Sequence, residues 1–130
     1  MRYFLAKTEP SSYSIEQLEK DKETIWDGVH SYAAIGFIKQ MKPGDRVFIY
    51  HSLKGLSIVG EAEVVEDPYL NTADPRFSWA VKLRFVRKFS GPSLADFKVK
   101  PEFATFDLVR QSRLSTMIVP DDVAKWILTF

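Results

Sequence analysis

The sequence predicts an α+β fold: a strongly bent mixed sheet or small barrel of about five or six strands, with short helices interspersed. Three observations predict it. Short runs rich in β-branched and aromatic residues recur between turn residues, segments with helical spacing fall between them, and no regular alternation of strand and helix is present such as a doubly wound parallel sheet needs. The chain has 130 residues, a length that buries roughly two-thirds of the unfolded surface in one domain. No linker, internal repeat or low-complexity segment divides it, so residues 1–130 are expected to form a single unit.

The elements follow in order. Arg2 to Ala6 is short, aromatic and closed by Glu9-Pro10-Ser11-Ser12, which suits a strand ending in a turn. Ser14-Ile15-Glu16-Gln17 fits a capping box and starts a helix through about Lys20. Ala34, Ile35, Phe37, Ile38 and Met41 fall on one helical face, and Lys42-Pro43-Gly44-Asp45 ends that helix. Arg46–His51 and Leu56–Val65 read as successive strands joined near Lys54-Gly55, with Gly60 marking a bulge or a close backbone approach. From Trp79 the residues Val81, Leu83 and Phe85 alternate with Ala80, Lys82 and Arg84, a strand with one buried face. Ser93 caps a short helix through Lys98, and a weaker helical stretch follows Pro101. Arg113–Val119 reads as a strand, and Asp121 or Asp122 caps a last helix in which Val123, Trp126, Ile127 and Phe130 share a face.

Composition removes whole classes of function. Eighteen Lys and Arg face 17 Asp and Glu, net +1, so no strong field exists to hold a polyanion along a surface. There is no cysteine, hence no disulfide scaffold, thiolate nucleophile or Cys-ligated metal. The glycines are too dispersed for a phosphate-cradling loop or a dinucleotide fingerprint, and His30 and His51 lack metal-ligand spacing, so neither cofactor nor metal is expected. No apolar run approaches the ~20 residues that span a bilayer, and Met1–Pro10 lacks the apolar stretch of a secretory signal. A cytoplasmic chain without a membrane partner is the expectation. Aromatic residues make up 14% of the chain, more than a core of this size needs.

Several segments mix large rings with hydrogen-bonding groups at strand ends or turns: Lys7-Thr8-Glu9-Pro10, Trp26-Asp27-Gly28-Val29, Tyr50-His51-Ser52 and Ser112-Arg113-Leu114-Ser115. If they converge at one rim of a curved sheet, they supply faces for stacking and donors and acceptors for the edge of a planar heterocycle, which is what reading a base requires. Each also has a plain structural reading. Trp26 and Trp79 serve equally as core anchors, Tyr32 as cover for a helix's first turn, Lys7, Glu9 and Arg113 as solvated charges. Asp27-Gly28 reads as a backbone turn, and His51 is favoured as a hydrogen-bonded structural histidine.

Taken in order, Lys7-Thr8-Glu9-Pro10, Tyr13–Leu18, Trp26-Asp27-Gly28-Val29, Met41–Asp45, Tyr50-His51-Ser52 and Arg113-Leu114-Ser115 resemble the EVE domain across nearly the whole chain. The resemblance implies a PUA-like fold related to the YTH readers of methylated adenine. It also implies a non-catalytic module that flips a modified base, a modified cytosine or related base in DNA or RNA, into an aromatic pocket, or that binds a free modified nucleoside as a monomer. By the same resemblance, Trp26, Tyr32 and Trp79 build the pocket wall, with Lys7, Thr8 and Glu9 on its polar side. Tyr50, His51 and Ser52 lie beside it, and Arg113 and Ser115 reach the base edge or a phosphate. Where the family commonly continues with Arg-Asn-Tyr-Gln-Ala-Arg, this chain has His30-Ser31-Tyr32-Ala33-Ala34-Ile35, placing His30 and Ser31 at the nucleic-acid backbone without the usual arginines. Modest affinity with shallow salt dependence follows.

A second reading is a small PUA-like amidohydrolase acting on a modified nucleoside through Lys7, Thr8 and Glu9. It meets a geometric objection, because neighbours on a strand face opposite ways and would set Thr8 against Lys7 and Glu9 unless the chain turns there.

Overall fold

The computed structural model describes residues 1–130. In chain order the elements are β1 (Tyr3–Thr8), α1 (Ile15–Asp21), β2 (Glu23–Val29), α2 (Tyr32–Gln40), β3 (Arg46–His51), β4 (Ser57–Val64), β5 (Tyr69–Leu70) and β6 (Trp79–Lys88), followed by α3 (Leu94–Lys98), a 3-10 turn (Pro101–Phe103), α4 (Asp107–Arg110), β7 (Thr116–Val119) and α5 (Asp121–Ile127). The strands form one mixed sheet in the order β2-β6-β4-β3-β1-β7, with the two-residue β5 attached to β6. Only β1 and β3 run parallel; every other pairing is antiparallel. The end strands β2 and β7 do not pair with each other, yet residues from both sides line a common cavity, so the sheet curls into a half-barrel with an open seam.

The strand count is seven rather than five or six, and the differences have physical causes. β2 lies where the sequence shows a turn: Glu23–Trp26 pairs with Val81–Arg84 of β6, Asp27-Gly28 bulges out, and pairing resumes at Val29 opposite Trp79. β7 begins at Thr116, not Arg113, because the segment before it is turned, with the Leu114 N–H donating to the Gln111 carbonyl.

The helices follow their caps. Ser14, Ser31 and Ser93 each accept a backbone N–H at a helix start, an interaction worth ~1 kcal/mol. Ser93 and Asp96 form a complete capping box. At α1 only the Ser14 half forms, since the Gln17 side chain donates to Asp21 instead. Neither Asp121 nor Asp122 caps α5: Pro120 holds the cap position and the Asp122 carboxylate accepts from Val123.

Phe4, Leu5, Phe48, Ile49, Ile58, Leu83 and Met117 of the sheet are buried in one core with Ile15 and Leu18 of α1, Ile38 of α2 and Ile127 of α5. A separate use of the aromatic excess is the stack around Trp126, whose ring centroid lies 5.0 Å from Phe97, 5.2 Å from Phe103 and 5.1 Å from Phe130. Gly60 fills both expected roles. The β3–β4 register shifts beside it, and a Cβ at this position would lie 2.3 Å from Ile15 Cδ1 and 2.9 Å from the Arg87 carbonyl oxygen, so α1 sits directly on the glycine.

Candidate functional site

The seam between the ends of the sheet holds a cavity of about 380 Å³ lined by Lys7, Thr8 and Ser115 on one side, Thr24 to His30 on the other, and Ser12 and Tyr13 between them. Each wall is set by local chemistry. On β2 the bulge lets Asp27-Gly28 leave the ladder, and Gly28 takes φ +76°, a left-handed conformation that costs a glycine little. Trp26, half-buried, meets Tyr13 edge-on, with centroids 6.1 Å apart and planes at 86°. Tyr13 is itself pinned, its hydroxyl donating to Asp21 Oδ2 at 2.8 Å, and burial is the main cause of its raised pKa. The two rings therefore form a braced corner.

The opposite wall is polar. Lys7 Nζ donates to the Ser112 carbonyl at 2.9 Å, and burial pushes its pKa down. Thr8 Oγ1 donates to the Tyr13 carbonyl at 2.8 Å, tying the end of β1 to the aromatic corner. The Lys7 N–H donates to the Ser115 carbonyl, while the Ser115 side chain has no hydrogen-bond partner within the protein. At the end of the β2 wall His30 Nε2 lies 2.8 Å from Asp74 Oδ2. Asp74 also accepts from the Arg76 N–H at 2.9 Å and from the Ser78 hydroxyl at 2.8 Å. These bonds, that from Arg76 first, hold the Asp74 pKa at about 2, so the carboxylate is ionised at neutral pH and accepts only.

Of the residues named from sequence, Lys7, Thr8, Trp26, His30 and Ser115 meet in this cavity. The others do not reach it. Arg113 and Ser31 border an adjoining hollow with Arg110 and Ser112. Tyr50 and Ser52 face a cleft on the far side of Lys7, and burial raises the Tyr50 pKa. His51 sits elsewhere again, its Nε2 accepting the Ile15 N–H at 3.1 Å. Glu9 is exposed. Tyr32 is 80% exposed, its ring centroid 5.8 Å from that of Phe77. Trp79 lies under the Lys39 ammonium at 5.1 Å. Of the Trp and Tyr rings placed at the site from sequence, Trp26 alone lines this cavity, where it meets Tyr13. Ser12, Tyr13, Thr24 and Ile25 also line it, with no lining role assigned to them from sequence. The signal for Thr24 and Ile25 is the run Thr24-Ile25-Trp26, three strand-favouring residues in succession.

No three His, Asp or Glu side chains are gathered anywhere as a metal site would need, and no helix is long and apolar enough to cross a membrane.

The family model of the EVE domain matches residues 2–130. The chain belongs to the EVE domain family. Among EVE-related curated proteins, thymocyte nuclear protein 1 of Rattus norvegicus is 39% identical over 79 residues, which cover 52% of this chain and 35% of that protein. The chain thus matches about a third of the length of such relatives. A solved EVE-like structure from Rhodopseudomonas palustris superposes with a TM-score of 0.90 at 32% identity, covering 99% of this chain and 92% of that one. Human THYN1, solved in complex with DNA containing 5-methylcytosine, gives 0.86 at 25% identity, covering 99% and 96%. The MmI1 YTH domain, at 15% identity and a TM-score of 0.61, shares the fold alone. The half-barrel of this EVE domain therefore has the PUA-like architecture that the motifs implied.

Proposed function

We propose that this EVE domain is a binding module that takes a modified nucleobase, first among them a modified cytosine in DNA, out of the strand and into the seam cavity. The observation that carries this reading is the braced Trp26–Tyr13 corner facing a polar wall of Lys7, Thr8 and Ser115 across a space of about 380 Å³. A flat face for stacking opposite hydrogen-bonding groups suits a planar heterocycle. Extruding a base costs a few kcal/mol, and stacking on an aromatic face returns ~1–3 kcal/mol per base before edge hydrogen bonds are counted. The human THYN1 complex with 5-methylcytosine DNA supports the choice of base. Arg113, beside the cavity and without an ion pair, suits a flanking phosphate, and His30 and Ser31 lie on the same approach.

The test is a titration with oligonucleotides carrying one 5-methylcytosine, with unmodified strands, RNA equivalents and the free nucleoside as further arms. Expected is tighter binding to the modified strand, weakened about tenfold or more by Trp26→Ala, given the stacking energy lost. Equal, strongly salt-dependent binding to modified and unmodified strands, untouched by Trp26→Ala, overturns the reading.

The lowered pKa of Lys7 is the one observation that favours amidohydrolase chemistry. Against it, the Lys7 ammonium and the Thr8 hydroxyl both donate to backbone carbonyls, which occupies the amine and directs the hydroxyl proton away from Lys7. Incubation with acylated nucleosides decides: turnover abolished by Lys7→Ala would favour the enzyme.

A further inference from the structure

The geometry points to His30, positioned by Asp74, as the group that reads the exocyclic amine of the bound base, so that the cavity takes an amino-bearing pyrimidine and rejects its keto counterpart. This inference rests on the base-binding reading above and adds a specificity to it.

Asp74 is an ionised acceptor already engaged by the Arg76 N–H and the Ser78 hydroxyl, so the 2.8 Å contact between His30 Nε2 and Asp74 Oδ2 requires the ring proton on Nε2. In the neutral ring, Nδ1 is then left as a lone-pair acceptor. It has no hydrogen-bond partner in the protein, and it is not sealed away, because the only buried side-chain polar atom without a partner in the whole chain is Thr116 Oγ1. His30 lines the cavity. An open acceptor, fixed in tautomer by a carboxylate behind it, thus belongs to a residue that lines the space assigned to the base.

An acceptor pairs with an amine and repels a carbonyl oxygen. 5-Methylcytosine and thymine share ring size and the 5-methyl group, and at C4 the first carries an amine and the second an oxygen. Stacking on Trp26 cannot tell them apart; His30 Nδ1 facing C4 can. A site built around a hydrogen bond rejects the analogue lacking it far better than a shape-selecting site does, because the buried polar group is left unpaired.

The test compares single-stranded oligonucleotides identical except for one 5-methylcytosine or thymine, bound at pH 8 to the wild-type chain and to Asp74→Asn and His30→Phe. The ratio of the two affinities is the readout. Wild type is expected to favour 5-methylcytosine at least tenfold. In Asp74→Asn, whose amide can donate to Nε2 and move the ring proton to Nδ1, the ratio falls to about threefold or less. The same loss of ratio is expected in His30→Phe, which keeps a planar ring without nitrogen. Ring ¹⁵N NMR of the wild-type His30 should show the Nε2–H form. A ratio near one in wild type with binding still dependent on Trp26, a preference for thymine, or a full ratio retained in Asp74→Asn overturns the role of His30 and Asp74 while the base pocket stands. Loss of both base preference and Trp26 dependence takes the base pocket down as well.

Discussion

His51 illustrates how a residue named for ligand chemistry serves the fold instead. Its Nε2 accepts the Ile15 N–H at the start of α1, which requires that nitrogen to be unprotonated. Burial pushes its pKa down, Glu16 opposes that shift and Lys88 adds to it. The unfolded imidazole therefore binds a proton at a pH where the folded one does not, and stability rises with pH across that interval. The contribution is complete above the ordinary imidazole value of about 6.5 and is lost as pH falls through the lower folded value. Thermal melts between pH 8 and pH 5 should show a falling Tm, and His51→Gln should flatten that fall. Glu16, whose pKa is lowered by Lys88, adds its own loss only at still lower pH.

At the scale of elements, the parts legible in the sequence are those whose signal is local. The helical face from Ala34 onward, Ser93 as a cap, and the alternation from Trp79 onward each announce themselves within a few residues, and the structure matches them. β2 is only half legible: Thr24-Ile25-Trp26 favours a strand, but the feature that follows breaks the usual rule. Asp27-Gly28 carries the composition of a turn, but here it is a bulge inside a paired strand, and only the β6 partner across the sheet makes it so. Two-residue β5 offers no pattern to read at all. The bulge yields a prediction: a Cβ on Gly28 meets nothing within 4 Å, so the cost of substitution is backbone strain alone. Gly28→Ala should lower stability by about 1–2 kcal/mol in a urea titration, and Gly28→Asn by less, since asparagine tolerates the left-handed region.

The whole molecule explains why the candidate site was only half visible. The lining residues come from β1, from the loop ahead of α1, from β2 and from the approach to β7, and they meet because the two ends of one curled sheet face each other. Sequence motifs located Lys7, Thr8, Trp26 and Ser115, but no local pattern says which strands become the ends of a sheet or how far it curls. Tyr50 and Trp79 carry the same residue chemistry, and the curl sends them to other surfaces.

Gly60 acts on that curl from a distance. α1 rests on it with no clearance, and the same helix is joined at its start to Ser12 and Tyr13 and at its end to β2, two walls of the seam cavity. One methyl group at position 60 would push against the Ile15 side chain at the start of α1 and the Arg87 carbonyl of β6, and both have to shift to admit it. Gly60→Ala should cost about 1–3 kcal/mol in a denaturant titration and also weaken binding of the modified base, although position 60 does not line the cavity. A position outside the cavity lining thus bears on the walls that frame it, because at Gly60 a hydrogen atom leaves room for Ile15 and a methyl group does not.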